Sequence, residues 1–301
     1  MLLENRMETA RKRLLLCAAF VGVFVMSAVI KPLSVSAKDV LTWTVPPFAP
    51  AFVTNRPVLS GYAADIQNWF AQQMPDYDHE ILNVPLARLL AEMRNTSGGI
   101  RCSSTLIPTP DRREYIAFAK TVLLHLPISV VIRKDDFDRF KPFINKDGHL
   151  LLWQLLSDGD MKTAVRTERA YGDLVDSHLS RYRKTDHVME VADDTKLLML
   201  LARKRIDWTL YFPSEAEYYR LQFTPEQRVM TLPIEGNSKI LRATIGCSNT
   251  PEGRAVIAKI NTIIDDNPTM PWTDFYANWL NPQDRAWFAE ARKDFIGAGI
   301  Y

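Results

Sequence analysis

Three cysteines and five histidines in 301 residues leave little material for several kinds of chemistry. There is no CxxC pair, no HExxH and no other His/Cys spacing of the sort that ligates a metal. A GxSxG nucleophile elbow and a Walker A phosphate loop are also absent. No low-complexity tract, run of like charge or internal repeat stands out, and no Pro/Gly/Ser-rich linker divides the chain. What is there is 47% hydrophobic and 24% charged, the balance of a globular protein. The length suits one large domain or two of ordinary size.

The first 37 residues stand apart. Arg11, Lys12 and Arg13 precede the apolar run LLLCAAFVGVFVMSAVI at 14–30, and KPLSVSA follows, with Val35 and Ala37 at the −3 and −1 positions of a signal-peptidase site. Residues 1–37 therefore read as a secretory signal cleaved before Lys38. The alternative is an uncleaved inner-membrane anchor, since the run is long for a signal core and marginal for a span. Cys17 follows Leu16 rather than a small residue, which argues against lipid attachment. Cleavage removes Arg6, Arg11, Lys12, Arg13 and Lys31 together with Glu4 and Glu8, so the +2 of the whole chain belongs to the leader. The mature chain is close to neutral and carries no basic surplus for nucleic acid. Its expected location is the periplasm.

Export leaves Cys102 and Cys247 as an even pair in an oxidising compartment, where a disulfide is expected and two separate buried thiols are the alternative. A bridge between them requires the chain to return late to where it began. The periodicities agree with such a path. DVLTWTV, HEILNV and GIRCSSTL read as strands, alternating with helical patterns that begin at Gly61, Leu86 and Thr109. The same βα alternation restarts after LPISVVIRKDD, with MKTAV and RIDWTLY as strands and YGDLVDSHL, TKLLMLLARK and PSEAEYYRL as helices. LRATIGCS is a late strand, followed by a helix capped at Thr250 and an aromatic-rich helical end that packs on the body. This order argues for mainly parallel sheets covered by helices. The expected organisation is a discontinuous first lobe, 38–132 with 242–301, and an inserted second lobe, 133–241, joined by two crossovers acting as a hinge.

The succession WTVPPF, GYAADI, PLARLL and TPDRREYIAFAK, leading through a strand into a second lobe, resembles family 3 of the bacterial extracellular solute-binding proteins, the type that binds polar amino acids. The likeness covers roughly residues 40 to 265. It implies a two-lobed periplasmic-binding-protein-like fold of type II, closing on a small solute for an ABC-transporter permease or a sensor receptor. No cofactor or metal is expected, and a monomer is expected, with a dimer left open by the sequence. In the family's amino-acid binders the arginine of the Thr-x-x-Arg element grips the ligand's carboxylate, which places that role on Arg112 beside Thr109. A guanidinium can bind a carboxylate through two parallel hydrogen bonds. Pairing of Arg112 with Asp111 or Glu114 on the surface is the bland alternative. Two positions depart from the family: Ile107 stands where a small or hydroxyl residue is usual, and Phe212 stands where an aspartate meets the ligand's ammonium. An α-amino group would then enter the cleft partly unpaired, at a cost of several kcal/mol. An organic acid, a modified peptide fragment or an aromatic solute fits as well as an amino acid.

In open α/β sheets ligands sit beyond the carboxyl ends of the strands. Trp43 and Phe48 are candidates for an aromatic wall there, although the family's usual stacking position falls on Val45. Arg88 is a second cation, or an i,i+4 partner of Glu92. Arg166 and Thr167 open the loop VRTERAYG as an anion site, or Thr167 is a plain helix cap. Tyr211 is a ring over the ligand or a core residue. The alternative function is a lyase- or dehydratase-like enzyme on the same scaffold, for which Glu168 is the one acid nominated. An α/β fold by itself does not choose between these readings.

Overall fold

In a computed structural model the chain is described over residues 38–167, 169–192 and 195–299. The expected signal peptide or anchor at 1–37 lies outside the described residues, and within them no helix is long and apolar enough to cross a membrane.

Two sheets carry the architecture. In the first, β1 (Asp39–Val45) runs parallel between β2 (Tyr77–Asn83) and β3 (Ile100–Leu106). The helices Tyr62–Gln72 and Leu86–Arg94 make the crossovers, burying Ile66 and Phe70 in one case and Leu89 and Met93 in the other. These are the stripes that the helical spacing requires. A strand from far along the chain, β11 (Leu241–Ser248), inserts antiparallel between β3 and β4 (Ile116–Phe118) and also pairs with β5 (Leu123–His125). In this register Cys247 faces Cys102, and the two are joined in a disulfide.

The second sheet has the order β10–β6–β9–β7–β8, from β6 (Ser129–Arg133), β7 (Thr163–Arg166), β8 (Val188–Val191), β9 (Trp208–Tyr211) and β10 (Val229–Leu232). β7 is parallel to β8 and β9, as the βα alternation requires, whereas β6 is antiparallel to β9 and β10. Both antiparallel entries, β6 and β11, are strands whose predecessor lies in the other sheet. No βα crossover precedes them, so nothing forces them to run parallel. The chain passes between the sheets twice, at 126–128 and 233–240, and Asn237 Nδ2 ties the passages together by donating to the Ile128 carbonyl at 3.0 Å.

The aromatic C-terminal segment packs on the first sheet, where Trp272, Tyr276 and Phe288 are fully buried. Trp272 Nε1 donates to the Val122 carbonyl at 2.8 Å, and the Tyr276 hydroxyl accepts from the Leu126 N–H at 3.0 Å, at the mouth of the first passage. The last helix, Pro282–Gly297, starts at Asn281, whose side chain accepts from the Asp284 N–H at 3.0 Å. Asp284 is almost wholly buried. Its carboxylate accepts from the Thr231 hydroxyl on β10 and from Asn281 Nδ2, so a helix rooted in the first core holds the edge of the second sheet. Burial pushes this carboxyl up to about 6, against the opposing pull of those two hydrogen bonds.

Two outcomes follow from these links. The purified native chain should show no titratable thiol at 102 or 247, and Cys102→Ser should cost about 2–4 kcal/mol of unfolding free energy in urea melts. Asp284 holds its proton more tightly folded than unfolded. Its contribution to stability is therefore complete below about pH 4 and is lost as pH rises through about 6. In Asp284→Asn that loss disappears. The variant's unfolding free energy relative to the parent should rise by roughly 2 kcal/mol between pH 4 and pH 7, and a difference independent of pH would contradict the shift.

Candidate functional site

A cavity of about 650 Å³ lies between the two sheets, at the carboxyl ends of β1, β3, β7 and β9. From the first side it is lined by the segment 47–51 after β1, by Tyr62, by Ile107 after β3, and by Leu123 and His125 of β5. From the second come Arg166, Thr167 and Arg169 after β7, then Phe212, Glu215 and Tyr219 after β9.

A glycine sets the first wall. Gly61 has φ of 120°, and a Cβ placed there would meet the Ala51 and Pro50 carbonyl oxygens at 2.4 and 2.5 Å. Only glycine permits this approach. It lets the Ala63 N–H donate to the Ala51 carbonyl at 3.0 Å, so the start of the helix Tyr62–Gln72 is pinned to the wall segment. The motif GYAADI thus presents Tyr62 and fixes the loop that carries Phe48.

The second wall is built on an ion pair. Arg169 Nη2 lies 2.7 Å from Glu215 Oε2, with side-chain exposures of 13% and 18%. The guanidinium sits 5.6 Å from the ring centre of Phe212 and 5.4 Å from that of Tyr171. Glu215 is in the first turn of the helix Pro213–Phe223, where the helix dipole favours an anion. The Arg166 N–H donates to the Tyr171 hydroxyl at 2.8 Å, and the Thr167 N–H to the Val191 carbonyl at 2.9 Å, which fixes the loop after β7.

The two walls meet directly. The His125 and Phe212 rings pack edge to face with centres 5.3 Å apart, and the buried Ser214 hydroxyl is within hydrogen-bonding reach of the Tyr62 and Tyr276 phenols. Burial pushes both phenols upward, so each stays a neutral donor. Burial pushes His125 down to about 4, outweighing the bond of its ring to the Leu126 carbonyl. The imidazole is therefore neutral at ordinary pH. With Nδ1–H donating to Leu126 O at 3.3 Å, Nε2 is left as an acceptor.

Of the residues expected from the sequence, Phe48, Arg166 and Thr167 line this cavity. Arg112 and Thr109 do not. The helix there is a single turn, Pro110–Arg113; Thr109 Oγ1 accepts from the Arg112 N–H at 3.3 Å, and Arg112 Nη1 donates to the Ile107 carbonyl at 3.0 Å. The loop thus satisfies its own donors, and it turns the Ile107 side chain toward the cavity instead. Arg88 is mostly exposed and paired with Glu92 at 3.4 Å, which is the surface alternative. Trp43 is a core residue, 1% exposed, because strand alternation puts it in the core with Leu41 and Val45; its Nε1 donates to His79 Nδ1 at 3.1 Å. Tyr211 is fully buried with Val131, Ala164 and Leu197. Glu168 lies outside the described residues.

Sequence reasoning missed Tyr62, His125, Arg169, Glu215 and Tyr219. One signal was available for Glu215: an acid three residues after Phe212, just inside a helix that starts with proline, restores on the next turn the charge absent at 212. Among the described residues no group of His, Cys, Asp and Glu could hold a metal ion.

No family model matches the chain, and no curated protein matches it. Solved structures do. The probable amino-acid ABC transporter extracellular-binding protein ytmK of Bacillus subtilis superposes with a TM-score of 0.57 at 15% identity, over 82% of this chain and 100% of the other. An ancestral cationic amino acid solute-binding protein gives 0.56 at 14% identity, over 80% and 95%. The unliganded open L-cystine solute receptor of Neisseria gonorrhoeae gives 0.54 at 15%, over 75% and 85%. The chain has the two-lobed solute-binding-protein fold. The two passages join its lobes, and the cavity lies between them.

The neutral state of His125 can be read directly. In an NMR titration of labelled histidine, its ring should keep neutral-form shifts down to about pH 4, whereas titration near 6.5 would mean the ring is hydrated.

Proposed function

We propose that this is an extracytoplasmic solute-binding protein that captures a small carboxylate-bearing solute by closing two lobes, one built on each sheet, with β6 (Ser129–Arg133), expected in the first lobe, belonging to the second. The observation that carries this reading is that one cavity draws its lining from both sides of two hydrogen-bonded passages. Its about 650 Å³ suits a molecule of amino-acid or dipeptide size. The fold neighbours include a cystine receptor and amino-acid-binding proteins, which supports a solute of that scale.

The chemistry of the walls narrows the class. Arg166 and Thr167 offer a cation and a hydroxyl to a carboxylate, while Phe48 and Phe212 offer apolar faces to its body. The acid missing at 212 is supplied by Glu215, but its charge is already engaged by Arg169. A free ammonium on the solute must therefore share Glu215 with an arginine. That favours organic acids and N-modified amino acids over ordinary zwitterions. Neutral His125 adds an acceptor for a solute N–H or O–H. Closure desolvates the solute between the lobes, and delivery to an ABC-transporter permease or a sensor receptor follows on reopening.

The test is calorimetry of the mature chain against a panel of carboxylic acids, amino acids and N-acyl amino acids, with mass spectrometry of the recovered compound. A bound carboxylate recovered unchanged is expected, and Arg166→Ala should weaken it at least about tenfold, or 1.4 kcal/mol. Turnover of the bound compound would favour the enzyme reading, and equal affinity in Arg166→Ala would remove that residue from the site.

A further inference from the structure

Past Ile107 and Ala243, which line both, a second cavity of about 390 Å³ adjoins the interlobe cleft on the first lobe. Topology gathers its walls from three places: Arg113 at the end of the single-turn helix, the loop 119–121 between β4 and β5, and Arg242 at the start of β11. Three cations line it, Arg113, Lys120 and Arg242, and no acid does. Lys120 is ion-paired with Asp265 of the helix Pro251–Asp266, and the Arg113 guanidinium lies 5.6 Å from the Phe118 ring centre. Neither Arg113 nor Arg242 has an acidic partner among the described residues. The acids beside them in sequence, Asp111 and Glu114, are exposed and outside the lining.

The frame beneath these charges is fixed. The N–H groups of Ala119 and Val122 donate to the Ile245 and Ala243 carbonyls at 2.9 and 3.1 Å, and that of Lys120 to Asn261 Oδ1 at 2.8 Å. The Thr244 hydroxyl donates to the Ala119 and Lys120 carbonyls. With Lys120 already paired to Asp265, the uncompensated charge of the lining is that of Arg113 and Arg242, and a bound anion balances it. Ile107, 57% exposed, stands at the threshold between the two spaces. Of the cations in TPDRREYIAFAK, Arg113 and Lys120 line this second space and Arg112 does not.

We propose that this annex is an anion site for a carboxylate or phosphate group, and that it extends the cleft past Ile107 so that a solute with two separated anionic ends spans both. The spanning rests on the reading of the cleft as a solute site; the anion site does not.

Calorimetry on the mature chain separates the two. The probes are straight-chain monocarboxylates, the α,ω-dicarboxylates from succinate to azelate, and inorganic pyrophosphate. Dicarboxylates long enough to reach the annex should bind at least about tenfold tighter than monocarboxylates of equal length. The double variant Arg113→Glu, Arg242→Glu should lose that gain and keep monocarboxylate binding; its far-ultraviolet circular dichroism and melting temperature report that it is folded. Pyrophosphate binding that the double variant abolishes, with no monocarboxylate bound by either protein, would keep the annex as a free-anion site and defeat the cleft reading. Monocarboxylate binding with no dicarboxylate gain, and pyrophosphate binding unaltered or absent, would overturn the annex and leave the cleft reading intact.

Discussion

A strand that arrives nearly last holds the first lobe together. Between β3 and β4 there is a gap in the first sheet that no local segment fills, and β11 closes it after the chain has built the whole second sheet. Without β11, β4 and β5 would lack the neighbour that satisfies their backbone groups, and Leu123 and Ile116 would lack cover. Gly246 of β11 must be small, because a Cβ there would come within 2.6 Å of Ile116 and 3.0 Å of Phe118. Joining Cys247 to Cys102 across the β11–β3 pair makes the late closure covalent and limits how far the unfolded chain can spread. The cleft depends on the same strand, since Ala243 lines it and the second passage ends where β11 begins.

The lobes are coupled by polar contacts made in largely apolar surroundings. Asp284 binds Thr231, Ser214 reaches two phenols, and Asn237 bridges the passages. Each such contact costs free energy if it breaks without water to replace it. Separating the lobes would break these contacts and expose the groups that make them. His125 packs on Phe212 across that interface, where the neutral imidazole avoids the cost of a buried charge.

Periodicity alone located most of the elements. The stripe Ile66, Phe70 and the run DVLTWTV specify their helix and strand without tertiary help, and the even cysteine count anticipated the bridge. Edge strands were less visible: β8 and β10 are no shorter than β7 and β9, but they lie at the sheet edges and are only partly buried, so they lack the continuous buried run that marks the central pair. The cleft was legible only where a loop follows a strand, as at Phe48, Arg166 and Thr167. Arg112 lies outside the cavity lining because a motif fixes residue type but not the direction of a flexible side chain, and its Nη1 donates to the Ile107 carbonyl. Arg169 and Glu215 were invisible because their meaning lies in each other, across 46 positions.

Tyr218 of the second lobe's helix Pro213–Phe223 packs against Trp279 of the C-terminal segment, with ring centres 6.0 Å apart. The indole packs with the first sheet's core and its phenol neighbour belongs to a helix of the second lobe. Any change in the angle between the two lobes alters the surroundings of this partly exposed tryptophan. In a variant that keeps Trp279 as its one tryptophan among the seven, emission would gauge that angle with no label attached.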